Sequence, residues 1–388
     1  MYPLHPSVSR FVRATVIALA SFASPAAFAQ LPIIEPVQRL KPPPDPTPGG
    51  QPGAQVQLGW AVAADGDTAI ISVNQGHAAY AYRKNANGRW VYQAALEAPT
   101  GGFTGYGAAL HGNTGLVQGS VNSQSAAFVF QRSQGQWTLT QTLPASGAVP
   151  WASHQLVLTG SYAAIGDAGS NDCRGGVLIY DKVGAGSYTF NTNLYASNSE
   201  ECSFYGSVVA AKGNTVLSYG TGAGKAAVFV RDGGVWSEQT KISHPNGNTD
   251  RAFPFDGHRA ILSSGSRSET DPWSAVVFVR SNGVWAPEQT LQHPYDPDEK
   301  LRIPGVIDGD RLVVREFQGR MFLFERINGV WTATAEFAGA APRQCGSSDS
   351  MPDLKLSLTG NTLFAACPTT ATPNPVFDGR VLVYQVPN

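Results

Sequence analysis

Charge is what this chain has little of. Asp, Glu, Lys and Arg make up 14% of its 388 residues, where ordinary soluble domains carry about 25%. The formal net charge is −1, so no basic surplus exists to neutralise phosphates and nucleic acid is not an expected partner. Long apolar runs are missing too. The stretch from Ala14 to Phe22 is too short to span a bilayer, and no later segment approaches the roughly 18 apolar residues that would, so membrane insertion is not expected. Chemistry-bearing spacings are also absent: no Cys-x-x-Cys, His-Glu-x-x-His or Gly-x-Ser-x-Gly occurs, and the histidines are scattered. A metal, a cofactor and a catalytic nucleophile therefore have no motif behind them. The glycines of Gly220-Thr-Gly-Ala-Gly224-Lys225 resemble a phosphate loop, but the Lys comes at the sixth position with no helix after it, which reads as a hairpin connection. Asp296-Pro-Asp298-Glu299 gathers three carboxylates in one loop, a pattern more often solvated than cation-binding.

Glycine and proline are what the chain has in quantity, 42 and 27 residues. They favour turns over helices, so an all-β class is expected. Arg10 and Arg13, the apolar run and the small residues of Ala27-Phe28-Ala29 form a secretory signal over residues 1–29, cut before Gln30, with no Cys there to carry a lipid. The mature chain, 30–388, is expected to be secreted or periplasmic. Its four cysteines, Cys173, Cys202, Cys345 and Cys367, are an even set in an exported chain, which favours disulfides over a metal site.

One unit recurs. A tryptophan or its substitute, followed six residues later by a second apolar residue, appears at Trp90/Leu96, Trp137/Leu143, Tyr188/Leu194, Trp236/Ile242, Trp285/Leu291 and Trp331/Phe337, roughly every 48 residues. Upstream lie seven turn glycines: Gly66, Gly112, Gly160, Gly213, Gly257, Gly309 and Gly360. Between the markers run alternating segments such as Ser274 to Leu291, where Asn282-Gly283 supplies a hairpin turn. Each unit reads as four strands, A to D, with A apolar on both faces and D polar between its anchors. A four-stranded antiparallel unit repeated near 48 residues predicts a seven-bladed β-propeller. The blades fall at about 54–100, 101–148, 149–200, 201–247, 248–298, 299–345 and 346–388. The last lacks strand D, and Ile34-Glu-Pro-Val-Gln38-Arg-Leu40 repeats the spacing of Trp285-Ala-Pro-Glu-Gln289-Thr-Leu291. Residues 31–41 are therefore expected to complete blade 7 and close the ring, with the Pro- and Gly-rich 42–53 as the connection into blade 1.

Leu58-Gly59-Trp-Ala-Val62-Ala-Ala-Asp-Gly66-Asp, Phe204-Tyr-Gly206-Ser-Val208-Val-Ala-Ala-Lys-Gly213-Asn and Ala226-Ala-Val-Phe-Val-Arg with Trp236 resemble the FG-GAP, integrin-α-like, repeats of secreted bacterial propellers. The resemblance implies an interaction or ligand-binding platform. It does not extend to calcium, since no Asp-x-Asp-x-Asp-Gly loop occurs.

Strand alternation puts the A-to-B and C-to-D turns on one face of the ring and the longer B-to-C and D-to-A connections on the other, the loop face. All four cysteines fall there, which pairs Cys173 with Cys202 and Cys345 with Cys367. Seven residues before the turn glycines lie Asp250, Arg302 and Asp353 in blades 5, 6 and 7. These, with Arg251, Trp60, Tyr106 and His154, are the candidate binding residues at the mouth of the channel. The expected function is a monomeric platform for a protein or carbohydrate ligand at the loop face, without catalysis. The alternatives are a polysaccharide lyase or hydrolase working with the mouth cluster, and a structural cell-envelope protein.

Overall fold

The computed structural model describes residues 30–41, 57–74, 78–145, 155–245, 254–263, 274–296, 301–316, 320–339, 355–367 and 379–387. Among them there are strands and no helix. Two short strands come first, β1 (Ile33–Ile34) and β2 (Pro36–Leu40). Blade 1 is β3 (Gln57–Asp65), β4 (Thr68–Asn74), β5 (Ala78–Lys84) and β6 (Trp90–Glu97). Blade 2 is β7 (Gly102–His111), β8 (Thr114–Val121), β9 (Gln124–Ser133) and β10 (Gln136–Pro144). Blade 3 is β11 (Leu156–Leu158), β12 (Tyr162–Asp167), β13 (Gly176–Gly184) and β14 (Ser187–Leu194). Blade 4 is β15 (Val208–Lys212), β16 (Thr215–Tyr219), β17 (Ala226–Asp232) and β18 (Val235–Ile242). Blade 5 is β19 (Arg259–Ser263), β20 (Ala275–Ser281) and β21 (Val284–Leu291), with a Phe255–Ala260 bridge on its inner side. Blade 6 is β22 (Leu301–Asp308), β23 (Arg311–Glu316), β24 (Met321–Ile327) and β25 (Val330–Phe337). Blade 7 holds β26 (Lys355–Thr359), β27 (Thr362–Cys367) and β28 (Arg380–Gln385).

Each blade is an antiparallel meander, and the first strands of neighbouring blades pack on one another, so strand A is innermost. The fold is a seven-bladed β-propeller. Asn282-Gly283 turns with φ of 50° and 80°, both left-handed, the geometry that matches the twist of a two-residue hairpin.

The chain's N-terminal strand closes the ring. In β2, Pro36 faces Tyr384, Val37 bulges out, and Gln38 to Leu40 face Val383 to Val381. Blade 5 has the same register: Pro287 faces Phe278, the next residue bulges, and Gln289 to Leu291 face Val277 to Ala275. The equivalence starts at Pro36. Ile33 and Ile34 instead lie parallel to blade 6, opposite Glu336 and Phe337, where Glu336 and Ala338 donate N–H bonds to Pro32 O and Ile34 O, both at 2.9 Å. No C-to-D hairpin ties these residues to β28, whereas in blade 5 the Asn282-Gly283 hairpin carries the pairing past Pro287 to Val284.

Seven apolar clusters fill the seven junctions between blades. Each strand D anchor packs back on the junction before it: Trp90 meets Phe364 of blade 7 edge-on at 4.8 Å, and Trp236 meets Tyr162 of blade 3 at 5.1 Å. Ile34 takes that place at the junction of blades 6 and 7.

A glutamine four residues after the anchor fastens three junctions. The Gln38 amide donates to Trp90 O at 2.6 Å and accepts from Trp90 N–H at 2.9 Å. Gln141 makes the same pair with Tyr188, and Gln289 with Trp331, all at 2.8 Å. One side chain thus satisfies the donor and acceptor that a neighbouring outer strand leaves open.

Candidate functional site on the loop face

Two connections of the loop face are joined to each other between blades 3 and 4. After β12 the chain makes a left-handed turn through Asn171, Asp172 and Cys173, with φ of 52°, 53° and 54°. L-residues other than Asn and Asp take this conformation at a cost of about 1–2 kcal/mol each. Among the described residues, six non-glycine residues with positive φ occur in this loop and its partner, the others being Asn198, Cys202 and Phe204. Elsewhere such residues sit in two-residue hairpin turns, as at Asn122-Ser123, Asn282 and Asn328.

Covalent and main-chain bonds hold the strained pair. Cys173 and Cys202 form the expected disulfide, with a Cα–Cα distance of 4.4 Å. Phe204 N–H donates to Cys173 O and Tyr205 N–H to Arg174 O, both at 2.9 Å, while Gly175 and Tyr205 form a parallel bridge. Glycines allow this approach. A Cβ on Gly166 would lie 2.0 Å from Gly206 O, and one on Gly220 would lie 1.9 Å from Ser203 O. Blade 4 clamps the far end: Glu238 accepts from Ser197 N–H at 2.6 Å and from its hydroxyl at 2.9 Å, and Lys241 donates to Ser197 O. Burial first, then Glu238 and Tyr219, push the Tyr205 hydroxyl up to about 12, so it stays neutral. Asp172, Glu200 and Glu201 stand exposed on this rigid base.

The channel mouth is described in part. Trp60 lies half-buried where β3 breaks register with β4 between Leu58 and Val62. Tyr106 occupies the same break in β7, between Thr104 and Ala108, and Arg302 borders one in β22, before Val306. The innermost strands of blades 1, 2 and 6 thus bulge near the loop-face end and pair again beyond the bulge, at Leu58–Val73, Thr104–Gly119 and Arg302–Arg315. His154, Asp250, Arg251 and Asp353 lie outside the described residues, as does Cys345. Cys367 ends β27 opposite Arg380.

Two buried histidines were missed by the sequence reading. His244 and His293 each lie two residues beyond the end of strand D and precede a proline, in consecutive blades. Blades 1, 2 and 3 have Ala98, Ala145 and Ala196 in that slot. His244 Nε2 lies 3.0 Å from Ser274 Oγ, and burial pulls its imidazole below the ordinary histidine range. His293 Nε2 lies 2.8 Å from Glu316 Oε2, with both side chains fully buried. In the His-Pro turn of blade 5 the second imidazole nitrogen is bonded as well. His293 Nδ1 accepts from Tyr295 N–H at 3.3 Å and Asp296 N–H at 3.1 Å. These imidazoles fasten the exit of strand D to the next blade. The repeated Ile/Leu-x-His-Pro was the available signal, but its partners are tertiary.

Fold and loop face define a β-propeller with its variable connections gathered on one side. Among solved structures the chain is similar to the β-propeller domain of Cps50 (Swd1) from Myceliophteria thermophila, at 10% identity over 85% of this chain and 98% of that one, with a TM-score of 0.57. It is also similar to a protein from Lactobacillus plantarum, at 14% identity over 77% of this chain and 88% of that one, TM-score 0.55. A chain of a mitotic checkpoint complex aligns at 11% identity over 97% of this chain and all of that one, TM-score 0.54. At such identities the likeness establishes the fold alone. No protein-family model matches the sequence, and no curated protein matches it.

Proposed function

We propose that this protein is an exported binding platform of the FG-GAP type that takes a protein or carbohydrate ligand on its loop face. The observation that carries the reading is the asymmetry of strain. On the turn face, hairpins such as Asn282-Gly283 use ordinary two-residue geometry, whereas the loop pair of blades 3 and 4 holds six left-handed non-glycine residues under a disulfide. Costly backbone held rigid on an exposed face pre-organises a contact surface, which lowers the entropy lost on binding. The mouth residues Trp60, Tyr106, His154, Asp250, Arg251, Arg302 and Asp353 form the inner part of the same proposed surface. A disulfide suits an oxidising compartment, which supports secreted or periplasmic residence; the platform is proposed to act as a monomer.

A glycan array, with thermal shift against hits, tests the proposal on mature wild type, Asp172→Ala, Arg302→Ala and the turn-face variant Lys212→Ala. The expected result is a hit weakened by the first two substitutions and unaffected by the third. A hit lost only in Lys212→Ala moves the site to the turn face. No glycan hit leaves a protein ligand, sought by crosslinking from a benzophenone carried at position 172. Crosslinks no more abundant there than at 212 overturn the reading.

A further inference from the structure

The buried group around His293 does more than fill a slot, because alanine fills the same slot in three other blades. Its bonds converge from every element packed on it. On its own segment, Tyr295 and Asp296 donate their N–H groups to Nδ1. From β23, Glu316 Oε2 accepts from Nε2 at 2.8 Å, and from the start of β24 Arg320 Nε donates to Glu316 Oε1 at 2.5 Å. The Arg320 guanidinium lies over the rings of Tyr295 and Phe322, at 5.4 and 5.7 Å. Phe322 packs edge-on against the imidazole at 5.2 Å. On the far side, the Tyr295 hydroxyl donates to Glu336 Oε2 of β25 at 2.9 Å and accepts from Leu31 N–H at 3.3 Å. A chain of contacts therefore runs from the loop-face turn at 293–296 to the first residues of the strap that closes the ring.

The two amide donors fix the tautomer. Nδ1 can accept from them only while it carries no proton, so the ring proton is on Nε2 and points at Glu316. We propose that His293 is a proton-operated latch: neutral, it fastens the Tyr295-Asp296 turn to blade 6 and, through Tyr295, the start of the strap; a proton on Nδ1 releases both. The proton replaces the acceptor with a third donor facing two N–H groups, which the turn can relieve only by moving away. It also strengthens the Nε2–H bond to Glu316, a charge-assisted bond, so the ring is drawn toward the carboxylate as the turn lets go. Arg320 already answers the charge of Glu316, leaving the second cation to be met by Asp296 and Glu336, the other carboxylates around the turn and the strap. The latch stands whether or not the loop face binds a ligand.

Amide hydrogen exchange on the full mature chain, resolved at Leu31, Tyr295 and Asp296 and expressed as protection, tests it between about pH 7.5 and 5. The wild type is expected to lose about tenfold protection at these three amides while β24 and β25 keep theirs, since local opening is reported separately from global unfolding. His293→Gln can donate to Glu316 and accept from the turn without titrating, so it should hold the three amides at both pH values. Loss to the same extent in wild type and variant, or no loss in the wild type, overturns the latch. Should the variant fail to fold, the 15N shifts of the His293 ring decide it. They must show an Nε2–H imidazole at the higher pH and change in step with the loss of protection. A change out of step refutes the proposal.

Discussion

Replacing Gln38 by alanine asks how much of the ring's closure rests on one side chain. Its amide makes two bonds to the Trp90 main chain, at 2.6 and 2.9 Å, across the junction of blades 7 and 1. Each such bond is worth about 1 kcal/mol net, and the Trp90 N–H and C=O left behind add part of a desolvation penalty of about 1–3 kcal/mol apiece. Gln38 is only half-buried, so water reaches the gap and the sum belongs near the low end, about 2–3 kcal/mol. Gln141→Ala and Gln289→Ala remove bonds of equal geometry from junctions inside the chain and should cost the same within about 0.5 kcal/mol. Gln38→Ala differs in one respect. No hairpin joins its strand to β28, as hairpins join β10 to β9 and β21 to β20, so hydrogen exchange in β2 and β28 should accelerate, whereas Gln141→Ala should leave them protected. Gln38→Glu should cost more than alanine near neutral pH, because a carboxylate then faces Trp90 O, and should recover near pH 4 as the new carboxyl takes up a proton and can donate. The assay is urea unfolding followed by tryptophan fluorescence. A loss under about 0.5 kcal/mol in Gln38→Ala, with unchanged m-value, would refute the clamp.

Reducing the Cys173–Cys202 disulfide, which spans 29 residues, should cost about 3.5 kcal/mol by loop closure. An unchanged thermal midpoint in dithiothreitol contradicts this. Gly166→Ala should destabilise and loosen both strained loops, since its Cβ would fall 2.0 Å from Gly206 O. Limited proteolysis with no new cut between 167 and 207 is the contrary result. His244 has its folded pKa lowered by burial, so the unfolded chain binds protons first and stability falls as pH drops below about 6.5. His244→Gln should flatten that limb of the denaturation profile, and an unaltered slope excludes His244 as its source. Burial pushes Tyr188 and Tyr205 up to about 12, so their contribution is whole below about pH 10 and fades as pH rises toward 12. Phenolate absorbance at 295 nm should leave both un-ionised at pH 11. Early ionisation in a chain that is still folded would contradict their burial.

The repeat alone determined the class, the blade count and the closure, because each rests on local periodicity. Alternation sets the faces of a strand, Asn-Gly or Gly-x sets a hairpin, and the Trp-to-Leu spacing sets an outer strand. Gln38 could be matched to Gln289 for the same reason: equal spacing to Pro and Leu forces equal register. The Cys173–Cys202 disulfide followed once both residues were assigned to one face of one blade. Tertiary structure decided the rest. Ile33 and Ile34 joined blade 6 because nothing local ties them to blade 7. The left-handed turn at 171–173 exists because a second loop, a disulfide and close-approaching glycines hold it there. Glu316, Arg320 and Glu336 lie far from His293 in sequence, and only the packing of blade 5 on blade 6 joins them around one imidazole. Side-chain partners across a junction are chosen by the twist and spacing of two sheets, and no period along one chain encodes that choice.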